Sequence, residues 1–145
     1  DRELFAISAV SLKQHLAPAD SKKLAISSLE KYRAKIVQNS NLTLTITLKR
    51  HLIDNIRSKG YTFEDIVFDF SSLLSKFLNR YGINQKIFID GASQGHENKT
   101  STITYVGQGG ELKNKNIGAA SILAREIVEA TLPQNQNTDP KKKHY

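Results

Sequence analysis

The feature that most constrains the fold is the run L-T-L-T-I-T-L at residues 42–48. Leucine or isoleucine stands at every second position of this run, and threonine stands between them. Successive side chains of a β-strand point to opposite faces, so the pattern predicts a strand with one apolar face and one hydroxylated face. The chain is therefore expected to contain a β-sheet.

Other segments show helix or strand patterns. Apolar residues at 24–37 recur at helical spacing, with lysine and arginine on the other side. Asp20 or Ser21 is expected to cap this helix by accepting a hydrogen bond from a backbone N–H group. Residues 86–90 read K-I-F-I-D, as expected of a buried central strand. The full predicted order is strand (5–12), helix (24–37), strand (42–48), helix (49–59, ended by Gly60), helix (62 to about 80, with Gly82 as C-cap), strand (86–90), strand (100–106) and helix (117–132).

This order of elements is typical of an α/β protein. We expect a central mixed β-sheet flanked by helices, because helices and strands alternate through most of the chain. The length of 145 residues fits one domain, predicted over 1–132, followed by a mobile basic tail at 133–145.

Composition limits the chemistry. The chain has no cysteine, so disulfides, thiolate nucleophiles and thiolate metal ligands are all excluded. The formal net charge of +7 suits a polyanionic partner such as nucleic acid, although a basic surface kept for solubility explains it equally well. The apolar runs are too short to span a bilayer, so we expect a soluble, cytoplasmic protein without a membrane partner, and a monomer.

Two acidic residues stand where a ligand could bind. Asp90 ends an apolar strand just before Gly91, and ligands of open α/β sheets bind at the carboxyl ends of strands. Glu111 follows the run G-Q-G-G at 107–110, whose glycines let the backbone bend closely. The alternatives are a turn-forming role for Asp90 and a solvated loop position for Glu111.

Two further segments are candidates for binding phosphate or packing closely. Residues 20–23 read D-S-K-K at an expected helix start, a reasonable place for a phosphate, although an ordinary N-cap with exposed lysines is the simpler interpretation. Residues 118–121 read G-A-A-S and open the last helix. Such small residues allow a helix to pack tightly on a sheet, whatever the function.

Three motifs occur together and in order: D-S-K-K-L at 20–24, F-I-D-G at 88–91, and A-A-S-I-L-A-R at 119–125 with Glu111 ahead of it. In this respect the chain resembles the type 2 ribonucleases H (HII and HIII) of the ribonuclease H superfamily. The resemblance covers about residues 5–130. It implies a ribonuclease H-like fold and a site of four carboxylates that binds Mg²⁺ or Mn²⁺.

The resemblance also implies an activity. The expected enzyme is an endonuclease that hydrolyses the RNA strand of RNA–DNA hybrids, or cuts DNA containing ribonucleotides, by a two-metal-ion mechanism. Its products would carry 5′-phosphate and 3′-hydroxyl ends. Asp90 and Glu111 would be catalytic metal ligands, and a glutamate in the last position is typical of the HIII type. The expected nucleic-acid contacts are Asp20, Ser21, Lys22, Lys23 and Ser121.

One departure from the family pattern concerns the first strand. The family motif G-x-D-E, which supplies two metal carboxylates from the first strand of the family fold, is not intact. The sequence starts with Asp1-Arg2-Glu3-Leu4, directly before the strand predicted at 5–12, which corresponds to the second strand of the family. We expect the first strand to be missing or incomplete, with Asp1 and Glu3 as candidates for the remaining metal ligands. The alternatives are a catalytically inactive nucleic-acid-binding member of the same fold, and another nuclease or integrase of the superfamily.

Overall fold

A computed structural model describes residues 3–13, 24–91, 102–107 and 114–131, and the predicted tail at 133–145 lies outside these ranges. The described residues form a mixed α/β structure, and the predicted order of elements is confirmed. Within these ranges, none of the helices combines the length and apolar character that crossing a membrane requires. The elements are β1 (Leu4–Leu12), α1 (Ile26–Gln38), β2 (Ser40–Lys49), α2 (Arg50–Ser58), α3 (Phe63–Arg80), β3 (Ile87–Asp90), β4 (Ile103–Gly107) and α4 (Lys115–Ala130).

Strands β1 and β2 form an antiparallel pair. The pairing runs from Leu4 opposite Lys49 to Leu12 opposite Ser40, with an irregularity at the end of β1. On the hydroxylated face, the Ser8 and Thr45 side chains share a hydrogen bond of 2.7 Å between their hydroxyl oxygens. The strand predicted from the alternation at 42–48 is therefore confirmed.

Helices α1 and α4 pack on this pair. Leu29 and Ile36 of α1 form a buried cluster with Ala119, Ile122 and Leu123 of α4. Half-buried residues of β1, among them Val10 and Leu12, pack against this cluster. The small residues at 118–121 therefore start a helix that packs closely on the sheet, as predicted.

The start of α1 differs from the prediction. Its N-cap residue is Ala25, which offers no side-chain hydrogen bond, so the expectation that Asp20 or Ser21 caps this helix is wrong. The Arg125 guanidinium of α4 donates a hydrogen bond of 2.9 Å to the Leu24 carbonyl oxygen. The Ala25 carbonyl oxygen accepts a hydrogen bond from the Ser28 N–H group.

Helix α3 begins after Thr62 and ends at Arg80 as its sequence predicts, but its C-cap residue is Tyr81 and not Gly82. The Thr62 hydroxyl accepts from the Asp65 N–H group at 3.2 Å, and the Asp65 carboxylate accepts from the Thr62 N–H group at 2.7 Å. This capping box satisfies two backbone donors that a helix start leaves without intrahelical partners. After Arg80 the chain turns at Gly82, whose φ of +74° lies in the left-handed region that favours glycine.

Strands β3 and β4 form a parallel pair. Ile89 and Ile103 form a second buried cluster with Phe68 of α3. The prediction of a buried central strand is only partly right, because Phe88 is 42% exposed and Asp90 is exposed too. Among the described strands, β3 pairs with β4 alone, and α3 covers only the face that carries Ile87 and Ile89.

The predicted central sheet is therefore not a single sheet in the part of the chain that the structure describes. The four strands form two separate pairs, β1–β2 and β3–β4. No backbone hydrogen bond joins β1 to β3 among these residues. A cavity lies between these two strands, and the candidate site borders it.

Candidate functional site

The cavity has a volume of about 530 Å³ and four walls. Residues 6–11 of β1 form one side, and residues 85–90, which lead into and include β3, form the opposite side. Side chains of α3 line it from one face of the sheets and side chains of α4 from the other. Most of the lining is apolar, so the polar residues on it stand out.

Asp90 and Ser121 are the two predicted site residues that line this cavity. Asp90 is the last residue of β3, directly after the buried Ile89. The pairing of β3 with β4 is irregular between Ile89 and Asp90, and Asp90 is exposed whereas Ile89 is buried. Gly91 follows with a φ of +117°, a left-handed conformation that turns the chain at the end of the strand.

Ser121 reaches the cavity because the start of α4 is fixed. The Asn114 side-chain oxygen accepts hydrogen bonds from the N–H groups of Asn116 and Ile117, at 2.9 and 3.3 Å. Such a cap satisfies backbone donors at the helix start and defines where the helix begins. Ser121 then lies on the second turn of α4, and it makes a further polar or electrostatic interaction besides lining the cavity.

Asn116 is a cavity residue that the sequence interpretation missed. Its side-chain oxygen accepts a hydrogen bond of 2.9 Å from the Leu12 N–H group at the end of β1. It also lines the cavity, beside Ile117. The local sequence offered a signal for Asn114, because asparagine is a preferred N-cap residue, but none for Asn116, which lies inside α4.

Glu3 is the one further predicted site residue among the described residues. It is exposed just before β1, does not line the cavity, and its carbonyl oxygen accepts a hydrogen bond of 2.9 Å from the Arg50 N–H group. The other predicted site residues lie outside the described residues, and they are Asp1, Asp20, Ser21, Lys22, Lys23 and Glu111.

The described residues do not by themselves provide a site for metal ions. Asp90 is the one acidic side chain among the described residues of the cavity wall. Within the same ranges, no three histidine or acidic side chains come together in a way that could hold a metal ion. The cavity is mainly apolar, and the polar residues on its described wall are Asp90, Lys86, Gln85, Asn116, Ser8, Ser11, Ser71 and Ser121.

Comparison of the chain with protein-family models, with curated proteins and with solved structures found no match. The resemblance to the type 2 ribonucleases H therefore depends on the three motifs alone, and family membership stays a prediction.

Proposed function

We propose that the chain is a metal-dependent endonuclease of the ribonuclease H type, with a ribonuclease H-like fold. Its substrate is the RNA strand of an RNA–DNA hybrid, or DNA containing ribonucleotides, and its products carry 5′-phosphate and 3′-hydroxyl ends. One observation carries the proposal: Asp90 of the F-I-D-G motif and Ser121 of the A-A-S-I-L-A-R motif line the same cavity. Two motifs far apart in sequence thus contribute to one place in the fold.

Asp90 has the chemistry that this reaction needs. Mg²⁺ and Mn²⁺ prefer oxygen ligands, and a carboxylate at the end of a strand supplies such a ligand from a rigid support. Divalent ions supply a nucleophilic hydroxide and charge relief in phosphodiester hydrolysis. A single carboxylate does not hold two ions, so the proposal requires Glu111 and further acids, with Asp1 and Glu3 as the candidates.

The charge of the chain supports a nucleic-acid partner. A formal charge of +7 favours association with a polyanion through contacts that do not depend on base sequence. In the proposal, Ser21, Lys22 and Lys23 contact phosphates, and Asp20 helps to position this segment. Such contacts fix the position of the duplex, while selection for RNA depends on its 2′-hydroxyl and on duplex shape.

Cleavage of a labelled RNA–DNA hybrid tests the proposal. The chain is incubated with Mg²⁺, with Mn²⁺ and with EDTA, beside the variants Asp90→Asn and Glu111→Gln. We expect cleavage of the RNA strand that needs the metal, and a loss of at least about 100-fold in each variant, because each removes one charged oxygen ligand. Asp69→Asn is the matched control, since Asp69 is exposed on α3 and does not line the cavity.

Three outcomes separate the possible functions. If Asp90→Asn and Asp69→Asn lowered the cleavage rate equally, the proposed role of Asp90 would be contradicted. Binding of the hybrid without cleavage, by a folded sample, would favour the inactive nucleic-acid-binding alternative. Cleavage of plain DNA at the same rate as the hybrid would favour another nuclease of the superfamily.

A further inference from the structure

Helix α3 carries a second apolar stripe beside its buried one. Ile66, Phe70, Leu73 and Phe77 recur at spacings of four, three and four residues, which is typical of helices that pack lengthwise on another helix. Ile66 and Phe70 are half-buried, whereas Leu73 and Phe77 are 66% and 58% exposed. In the part of the chain that the structure describes, the C-terminal half of this stripe therefore lies in solvent.

Tyr81, the C-cap residue of α3, extends the exposed end of the stripe. It is 65% exposed, and its ring centroid lies 5.3 Å from that of Phe77. Single apolar side chains are common on protein surfaces, but a contiguous group of large ones often marks an interaction site. Leu73, Phe77 and Tyr81 form such a group along one side of the helix.

The charges of α3 are divided between its two halves. The acidic residues Glu64, Asp65 and Asp69 lie in the first half, and the basic residues Lys76 and Arg80 lie in the second. Asp69 and Lys76 are both exposed and stand seven residues apart, which is nearly two full turns, so they flank the exposed stripe on the same side. The face is therefore complementary in charge to a copy of itself that runs in the opposite direction.

We propose that this face of α3 binds the same face of a second copy of the chain, with the two helices antiparallel about a twofold axis between Ser72 and Leu73. Asp69 of each copy then lies level with Lys76 of the other, so one pair of residues forms two ion pairs. Leu73 packs against its own counterpart beside the axis. An interface made by the same patch on both subunits is the commonest arrangement of protein dimers.

This dimer differs from the monomer expected from the sequence, and it does not depend on the nuclease activity. Asp69, Leu73, Lys76 and Phe77 do not line the cavity that carries Asp90. The dimer can therefore form whether or not the chain cleaves nucleic acid.

The charge pattern favours a second copy over other partners. A phosphate backbone or an anionic lipid surface binds to faces on which lysine and arginine predominate. Here Asp69 lies beside the exposed stripe on the same side as Lys76, so the face is mixed in charge. Antiparallel pairing places each of these charges against its opposite, whereas a parallel pair would bring like charges together, which is unfavourable.

The expected association is weak. Helix α3 has 18 residues, so its length is about 27 Å, and one helix pair gives an interface at the small end of the usual range. We therefore expect a Kd on the order of 100 µM. At the low micromolar concentrations of a cleavage assay the chain is then monomeric, so Asp69→Asn remains a suitable control for cleavage.

Sedimentation velocity at concentrations below and above this Kd measures the association. Leu73→Glu places two like charges beside the twofold axis, and we expect it to weaken the dimer by at least about tenfold. Leu52→Glu is the matched control, because Leu52 is an exposed leucine on a different helix, α2. Since both leucines are exposed, circular dichroism should show that both variants stay folded.

Exchange of the two charges tests the antiparallel pairing. Asp69→Lys and Lys76→Glu each replace two attractive contacts by two repulsive ones, so each should weaken the dimer by roughly tenfold. The double variant restores opposite charges at both places and should associate nearly as well as the unaltered chain. High salt should reduce the differences among these four proteins, because the charged side chains are exposed.

Cross-linking tests the position of the axis, since the chain has no cysteine of its own. Leu73→Cys should form a disulfide between two copies under mild oxidation, because the two sulfur atoms lie beside the axis. Phe77→Cys should not, because the two copies of this residue lie about 13 Å apart along the helices, beyond the roughly 7 Å between Cα atoms that a disulfide spans.

A dimer that Leu73→Glu weakens, that the charge exchange restores and that Leu73→Cys cross-links would support the inference. A chain that stays monomeric well above the expected Kd would overturn it, as would a dimer that Leu73→Glu and Leu52→Glu affect equally. Equal cross-linking of Leu73→Cys and Phe77→Cys would contradict the antiparallel pairing. A monomer whose binding to an RNA–DNA hybrid is weakened by Leu73→Glu would assign this face to nucleic acid instead.

Discussion

The two sheets differ in how completely they are buried. The first unit, β1, β2, α1 and α4, has a core in which Leu29 and Ile36 are only 1% and 2% exposed. The second unit, β3, β4 and α3, has a smaller cluster in which Ile89 and Ile103 are each 7% exposed. The first unit covers one face of its sheet with two helices, whereas the second has one helix packed on one face of a short strand pair.

The second unit also leaves large apolar side chains exposed on its surface. Leu73, Phe77 and Tyr81, one turn apart on α3 and its C-cap, are 66%, 58% and 65% exposed. Phe77 and Tyr81 contact each other, with ring centroids 5.3 Å apart, although both lie largely in solvent. The second unit therefore buries less of its apolar surface, and we expect it to contribute less to the free energy of unfolding.

Truncation of one core residue in each unit tests this comparison most strongly. We expect Leu29→Ala to lower the free energy of unfolding by about 3–5 kcal/mol, because it leaves a void in a closely packed cluster. We expect Ile89→Ala to cost about 2–3 kcal/mol, because Ile89 already borders an existing cavity. Equilibrium unfolding in urea measures both values.

The exposed Leu52→Ala in α2 is the control for this pair, since Leu52 is 40% exposed. Its cost should stay below about 1 kcal/mol, as is usual for surface positions. If Ile89→Ala proved as costly as Leu29→Ala, the second unit would be as well packed as the first, and the contrast between the units would be wrong.

A smaller effect is expected from the capping box of α3. Thr62→Ala removes the hydroxyl that accepts from the Asp65 N–H group, and we expect a loss of about 1 kcal/mol. Thr62→Ser keeps the hydroxyl and should restore most of this loss. Unfolding in urea gives the free energies, and amide exchange should show the loss at the start of α3 and not in α1.

Thr104→Ala serves as the control for the cap, because Thr104 is exposed on β4 and belongs to the same unit. If Thr104→Ala lowered the free energy of unfolding as much as Thr62→Ala, the loss would come from removing any threonine side chain and not from removing the cap. Faster exchange throughout α1 would instead mean that the two units unfold together.

The order of elements could be predicted because local signals determine it. The alternation at 42–48 indicates β2 by itself, and Thr62 with Asp65 indicates the start of α3. The start of α1 could not be predicted in this way. Its surroundings include the bond between Arg125 and the Leu24 carbonyl oxygen, whose residues are 101 positions apart in sequence.

The candidate site shows the same limit. The strand-end position of Asp90 and the small residues before Ser121 are local patterns, and the structure brings both residues to one cavity. The bond between Asn116 and the Leu12 N–H group joins residues 104 positions apart, so no local pattern indicated it. The separation into two sheets was also missed, because strand pairing depends on contacts that are distant in sequence.

The smallest expected effect concerns the ion pair that joins the two helices of the first unit. The Arg33 Nε atom lies 3.4 Å from the Glu126 carboxylate, and their side chains are 43% and 15% exposed. Because Arg33 is largely solvated, a double-mutant cycle of Arg33→Gln and Glu126→Gln should give a coupling of only about 0.2–1 kcal/mol, weaker in high salt. The pair Arg50 and Asp54, 3.6 Å apart within α2, is the comparison, and its coupling should be about 0.3–0.5 kcal/mol. A coupling well above 1 kcal/mol for Arg33 and Glu126 would show that this ion pair, in addition to apolar burial, makes the first unit the more stable of the two.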